Sequence, residues 1–448
     1  MKTSKYNIFL EQDDDAVLAF NSLTGALVKM DSENYLNFIN LANEGISPEI
    51  NTNEMQDFMK QLKLGGFLIE DSFDEMESLK RKYFKVKESK SFLKLEIAPT
   101  NNCNFSCKYC FNPNRRDNDM TEEVQNALVE FVRKKAEKTK VLSVLWTGGE
   151  PSLAPDIIIR LSKKFMEIAK DADISYDAAI FSNGYNLNYE MANSLKDCGV
   201  SMAQIVLDGP REVHDKRRTL VTGGRTHDVI IKNIKEISKV LPVLLRVNLD
   251  FSNSDMKYIT QLMDELKEYD IPKYVAIEFA QIVSYTSSCT EFVKKHGFNR
   301  KVYAEKLAEL IPVVIKEERL FSFDLTPQYG AAPCTSNSSF GISPEGDVYR
   351  CFLLIGDKQE CIGNLLNTQS FDDRNENFVK WDTWNPFERK ECIDCDILPI
   401  CMGGDACPFP DVAIDGYVRD GIRCSPLKFK KEELIRLVSK QRMCLNAI

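Results

Sequence analysis

Apolar residues recur at every second position in short runs and at every third or fourth in longer ones, and these two periods divide the chain into three textures. In the first, residues 7–11 and 16–30 alternate as strands, the second run broken by a turn at Leu23-Thr-Gly-Ala26. Helical periodicity follows at 32–43 and 53–64 and is stopped by Gly65-Gly66, and residues 67–69 predict a short returning strand. This order predicts a small winged-helix-like unit within residues 1–85, with a Lys- and Glu-rich helix at 73–88 bridging onward. Residues 91–320 then alternate strand and helix. Strands are expected at 92–97, 141–146, 178–182, 203–207, 244–249 and 275–281, with helices at 121–137, 156–169, 189–198, 227–239 and 254–268 between them. Six such repeats with short loops imply an α/β fold on a parallel sheet, either a partial barrel or a doubly wound sheet. Active groups should then gather at the C-terminal strand ends. The last texture, residues 328–448, has little clean periodicity before a final helix at 429–442.

Composition changes this picture in two places. Fourteen cysteines in 448 residues are too few for a disulfide scaffold of this size and many for a reduced protein, and eight of them fall between Cys334 and Cys424. A segment so poor in apolar periodicity buries little core, so bound metal is the expected organiser. The net charge of −9 argues against nucleic acid as main partner. Residues 1–71 alone carry −7, which fits either a basic or neutral partner or a solvated acidic surface. No run is long enough to span a bilayer and residues 1–10 lack a secretory pattern, so no membrane role and a cytoplasmic setting are expected.

The candidate chemistry starts at Cys103-Asn-Phe-Ser-Cys107-Lys-Tyr-Cys110, just after the first strand. Three thiolates can hold three irons of a [4Fe-4S] cube and leave the fourth open to a small molecule; alone, the triplet also allows zinc. The second strand ends in Thr147-Gly148-Gly149-Glu150-Pro151, where the carboxylate or exposed carbonyls suit an ammonium group. Ser182 and Asn183 end the third strand with small polar side chains suited to ribose hydroxyls. Asp208-Gly209-Pro210, with His214 and Asp215 beyond, ends the fourth. Arg246 and Asn248 share one face of the fifth. An inward arginine needs an anionic partner, either a ligand carboxylate or an internal salt bridge.

Together these residues resemble the radical S-adenosylmethionine (SAM) superfamily, on Cys103, Cys107 and Cys110 with Tyr109 at the aromatic position, on Gly148-Gly149-Glu150-Pro151 and on the six-strand order. The resemblance implies a partial (β/α)6 TIM-like barrel over residues 91–320. It also implies an open iron that chelates SAM, whose reductive cleavage gives a 5′-deoxyadenosyl radical. Gly148, Gly149 and Glu150 would meet the ammonium, and Ser182, Asn183, Arg246 and Asn248 the ribose and carboxylate. The later cysteines resemble the iron-sulfur SPASM extension, which binds two auxiliary [4Fe-4S] clusters, three clusters in all. By that family's interleaved ligation Cys392, Cys395, Cys401 and Cys424 fill one, and Cys334, Cys351 and Cys407 hold the other. Five residues separate Cys401 from Cys407 where the family has three. The fourth ligand of the second set is either Cys361 or an open position for a substrate thiol. Cys198, Cys289 and Cys444 read as small buried apolar residues.

The acidic N-terminal unit resembles the leader-recognition domain of maturases of ribosomally made peptides, which adds the leader as a strand to a sheet edge. The resemblance implies a precursor peptide as partner, a donor such as flavodoxin or ferredoxin, and a thioether between a Cys sulfur and a carbon as product. The alternatives are a C–C or C–O cross-link by the same machinery, and formylglycine formation. Relatives of the last type commonly carry Asp after the cysteine matching Cys351, where this chain has Phe352.

Overall fold

The computed structural model describes residues 1–12, 14–44, 53–112, 118–284, 286–329, 336–367, 375–404 and 424–446. Cys334 and Cys407 lie outside the described residues, as does the side chain of Cys444.

The N-terminal unit opens with a three-stranded antiparallel meander, Asn7–Glu11, Val17–Asn21 and Leu27–Met30. Its second turn is set by Asn21, whose Oδ1 accepts from Leu23 N and Thr24 N at 3.0 Å each, a side-chain mimic of a backbone turn. Helices Ser32–Glu44 and Asn53–Leu64 follow. Gly66 takes φ +75° to end the second helix, and Leu68–Ile69 returns to pair antiparallel with Lys2–Thr3. The bridging helix is Glu75–Lys87, capped by Asp74, whose side chain accepts from Glu77 N.

Six parallel strands carry the middle of the chain: Phe92–Ile97, Val141–Trp146, Ser175–Ser182, Val200–Val206, Val243–Leu249 and Ala276–Gln281. They pair in chain order with helices between, the order a partial barrel requires. Burial alternates along the fifth strand. Val243, Leu245, Val247 and Leu249 pack into the main core, while Leu244, Arg246 and Asn248 face the other way and are only partly buried. One face is therefore glued to the helices, and the other is free to carry polar chemistry at its C-terminal end.

A seventh parallel strand, Ser339–Ile342, comes from the C-terminal texture and pairs with the free edge of Phe92–Ile97, Ser339 opposite Lys94 and Ile342 opposite Ile97. Sequence periodicity does not find it because it is four residues long, contains Gly341, and pairs with a strand some 240 residues earlier. It continues into antiparallel Asp347–Tyr349 and Gly363–Asn364, and the extra strands cover an edge that would otherwise expose unpaired N–H and C=O groups. The N-terminal unit does not stand apart from this region. Tyr6 and Leu23 join Leu79, Tyr83, Leu398 and Met402 in one apolar cluster, with Cys392 and Cys395 packed against it. No helix among the described residues is long and apolar enough to cross a membrane.

Candidate active site

At the C-terminal ends of the six strands lies a cavity of about 300 Å3. Its lining includes Cys103, Cys107 and Cys110, Tyr109, Gly148, Gly149 and Glu150, Ser182 and Asn183, and Arg246 and Asn248. The three cysteines, Tyr109, and the strand-end residues Gly148, Gly149, Glu150, Ser182, Asn183, Arg246 and Asn248 thus reach one space, whereas Asp208, Gly209, Pro210, His214 and Asp215 do not line it. Among the described residues no three His, Cys, Asp or Glu side chains converge on a single ion-sized point; the three thiols line a larger volume.

The cysteine loop is held from two sides. Phe105 bridges to Leu220, Ser106 N donates to Thr219 O at 2.8 Å, and Val221 N donates to Asn104 O at 2.9 Å. On the other side Thr286 Oγ1 donates to Phe111 O, and Ser288 Oγ to Cys110 O at 3.2 Å. These clamps fix the backbone while leaving the three thiols partly exposed. Burial pushes the Cys103 thiol up to about 12, with Glu150 and the other two thiols adding to the rise. A thiolate there is costly until a cation shares its charge, which is what an iron cluster provides.

The glycines admit close approach of backbone to backbone. A Cβ on Gly149 would stand 2.2 Å from Asn102 O, and one on Gly148, at φ +115°, 2.7 Å from Thr100 O. Glu150 has a bracing part as well. Its carboxylate is 1% exposed: Oε1 accepts from Ser152 N at 3.0 Å and from Ser182 Oγ at 2.7 Å, and Oε2 accepts from Asn183 N at 2.6 Å. It ties the second strand end to the third while itself lining the cavity. Arg246 likewise has an internal partner. Its Nη1 lies 3.0 Å from Glu278 Oε2, directly across the register on the sixth strand, and its Nε donates to Asn248 Oδ1 at 3.0 Å.

A buried polar network behind the cysteine loop contains residues that the sequence reading passed over. Tyr109 OH donates to Asp208 Oδ2, while Arg218 Nη1 and Asn248 Nδ2 donate to Tyr109 at 2.9 and 3.3 Å. Arg217 spans Asp208 at 3.2 Å and Asp250 at 2.8 Å and lies over the Tyr109 ring. His214 Nδ1 accepts from Asp208 N at 3.1 Å, and burial holds its imidazole neutral, well below its usual range; the remaining proton therefore sits on Nε2, facing Thr226 Oγ1. Arg218 completes the network. It lines the cavity, is 7% exposed, and its Nε has no hydrogen-bond partner. Such an orphaned cationic donor beside Cys107 fits an anionic group in the cavity. The signal available in sequence was the Arg217-Arg218 pair three residues beyond His214, unreadable without the fold.

In the C-terminal region Cys392, Cys395, Cys401 and Cys424 lie close enough to act on one another electrostatically. Burial first, then those neighbours, raise the Cys401 thiol to about 11. Arg300 Nε donates to Cys424 O at 2.9 Å and fastens that strand of chain to the barrel. Cys351 and Cys361 share an apolar cluster with Tyr349 and Trp381, and Cys361 Sγ donates to Gly363 O at 3.0 Å. Cys198 and Cys289 are buried, as their apolar reading required.

Residues 97–276 match the radical SAM superfamily. The chain is 22% identical over 439 residues to the radical SAM cyclopropyl synthase TigE of Paramaledivibacter caminithermalis, covering 89% of this chain and 88% of that protein. It is 25% identical over 338 residues to a cysteine-type anaerobic sulfatase-maturating enzyme of Clostridium novyi, covering 70% and 87%. Its fold is similar to that of Streptococcus suis SuiB bound to the precursor peptide SuiA, with TM-score 0.53 and 17% identity over 94% of this chain and 99% of that one. It is also similar to native anSMEcpe with bound AdoMet, with TM-score 0.58 and 19% identity over 79% and 100%. Residues 97–276 thus carry a radical SAM domain.

Proposed function

We propose that the protein modifies a ribosomally made precursor peptide, joining a Cys sulfur to a carbon as a thioether. The observation that carries the reading is the arrangement of two thiol-bearing regions and the N-terminal unit on one scaffold. Cys103, Cys107 and Cys110 line the barrel cavity, Cys392, Cys395, Cys401 and Cys424 group in the C-terminal region, and the N-terminal unit packs against two of that quartet. In this reading residues 1–85 are a winged-helix-like leader-recognition domain, residues 91–320 the radical SAM barrel and residues 328–448 a SPASM domain.

The first triplet would hold a [4Fe-4S] cluster with one open iron for SAM, and the quartet an auxiliary cluster. Cys334, Cys351 and Cys407 would hold a second auxiliary cluster, with Cys361 or a substrate thiol as fourth ligand. Cluster and SAM supply one-electron reduction and removal of a hydrogen atom from carbon. The residues of the chain do the rest. Arg218 would offer its cation to the SAM carboxylate, the Gly148 and Gly149 backbone would meet the ammonium, and Ser182 and Asn183, braced by Glu150, would serve the ribose. Forming a thioether would pass the C–H hydrogen atom to the 5′-deoxyadenosyl radical and the S–H proton to solvent, and the remaining electron would leave through the residues that hold the auxiliary clusters to a flavodoxin- or ferredoxin-like carrier.

A carbon–carbon product is the second reading, favoured by the likeness to a cyclopropyl synthase over most of the chain. Both products show a loss of two hydrogens. Alkylation before mass spectrometry separates them: a thioether-bearing peptide resists iodoacetamide at the modified Cys, whereas a carbon–carbon product still takes it up. An unchanged peptide mass after turnover with SAM and reductant contradicts both.

A further inference from the structure

Three phenyl rings from separate elements meet at the cavity wall. Phe111 follows the last cysteine of the triplet, Phe181 stands at the end of the third strand, and Phe352 follows Cys351. Phe352 is central, lying edge-to-face with Phe111 at 6.4 Å and 81° and with Phe181 at 6.4 Å and 77°. Its backbone is pinned. Phe352 N donates at 3.2 Å to Glu96 Oε2 on the first strand, and Lys94 Nζ lies 2.9 Å from Glu96 Oε1. The ring is only partly buried, and Leu353, Ile282 and Val283 extend the apolar wall beside it.

The three rings themselves carry no polar side-chain atom, and carboxylates are scarce around the cavity. Among the described residues lining the cavity, Glu150 is the one carboxylate, and both of its oxygens are engaged by Ser152, Ser182 and Asn183. A charged or hydroxylic substrate side chain placed against the three rings would lose hydration with no carboxylate to pair with there. An aliphatic one gains the burial.

We infer that Phe352 is a specificity-determining residue. With Phe111 and Phe181 it forms a phenyl-lined seat for the side chain of the peptide residue that loses hydrogen, and that side chain is apolar. The inference rests on the peptide-modifying reading above and narrows it.

The test uses the full chain, anaerobically reconstituted with iron and sulfide, with SAM and dithionite. The probes are blocked pentapeptides Gly-Gly-Xaa-Gly-Gly in which Xaa is side-chain-deuterated Val, Leu, Ser or Asp. Deuterium in 5′-deoxyadenosine should come from Val and Leu about tenfold more than from Ser and Asp, the factor expected for one well-buried apolar side chain. Phe352→Asp should bring that ratio near one, while Phe352→Leu, which keeps the wall apolar, should hold it. Phe352→Trp adds a binding readout, since its emission should shift to shorter wavelength with the Val peptide and not with the Asp peptide. Equal transfer from all four probes, or an unchanged ratio in Phe352→Asp, overturns the seat. Absence of 5′-deoxyadenosine from every sample instead overturns the radical reading on which the seat depends.

Discussion

Glu150→Gln separates two roles that sequence alone leaves merged. If the carboxylate meets the SAM ammonium, the change weakens SAM binding and little else. The structure instead has it accept three hydrogen bonds from Ser152 N, Ser182 Oγ and Asn183 N while 1% exposed. An amide supplies one acceptor oxygen where the carboxylate supplied two, so at least one buried donor faces an N–H. Leaving a buried donor unsatisfied costs about 1–3 kcal/mol. For a barrel-sized unit, each kcal/mol moves the thermal midpoint by roughly 2–4 °C, so the midpoint should fall by roughly 2–12 °C. The assay is a circular dichroism melt of the reconstituted protein without SAM, so that ligand binding contributes nothing. A midpoint within about 1 °C of wild type, together with weakened SAM binding, would refute the bracing role.

Other substitutions probe the remaining parts. Asp208→Asn leaves Arg217 paired with Asp250 alone and weakens the tie to Tyr109; losing these charge-assisted hydrogen bonds costs about 1–3 kcal/mol, read as a lowered denaturant midpoint. Cys395→Ala should lower iron from about 12 to about 8 per chain while SAM cleavage persists and peptide modification stops; equal loss of both activities would make that cluster structural. Deleting residues 1–71 should weaken peptide binding and also lower iron content, because Tyr6 and Leu23 leave the apolar cluster against which Cys392 and Cys395 pack. Unchanged peptide affinity would contradict leader recognition by that unit.

The parallel sheet was legible in sequence because each of its six middle strands is a compact apolar run closed by a polar or glycine-rich turn, and Phe92–Ile97 and Val141–Trp146 stand at their expected bounds. The site residues were legible as chemical types at strand ends, since parallel β/α order sends them to one side. Their partners were not. That Arg246 spends its charge on Glu278, and Glu150 on Ser182 and Asn183, depends on register between strands 32 or 33 residues apart. Arg218 sits in a segment whose position follows only from its pairing with the cysteine loop. The Ser339–Ile342 strand was hidden for the same reason, because it is defined by the edge it covers rather than by its own pattern.

The central claim, that the cavity bounded by Cys103, Cys107 and Cys110 performs radical SAM chemistry, is tested most directly by 5′-deoxyadenosine formation. Anaerobically reconstituted protein with SAM and dithionite should release it, and Cys107→Ala, lacking one of three cluster ligands, should release none above background. No 5′-deoxyadenosine from the wild-type protein, or equal release from Cys107→Ala, would contradict the account.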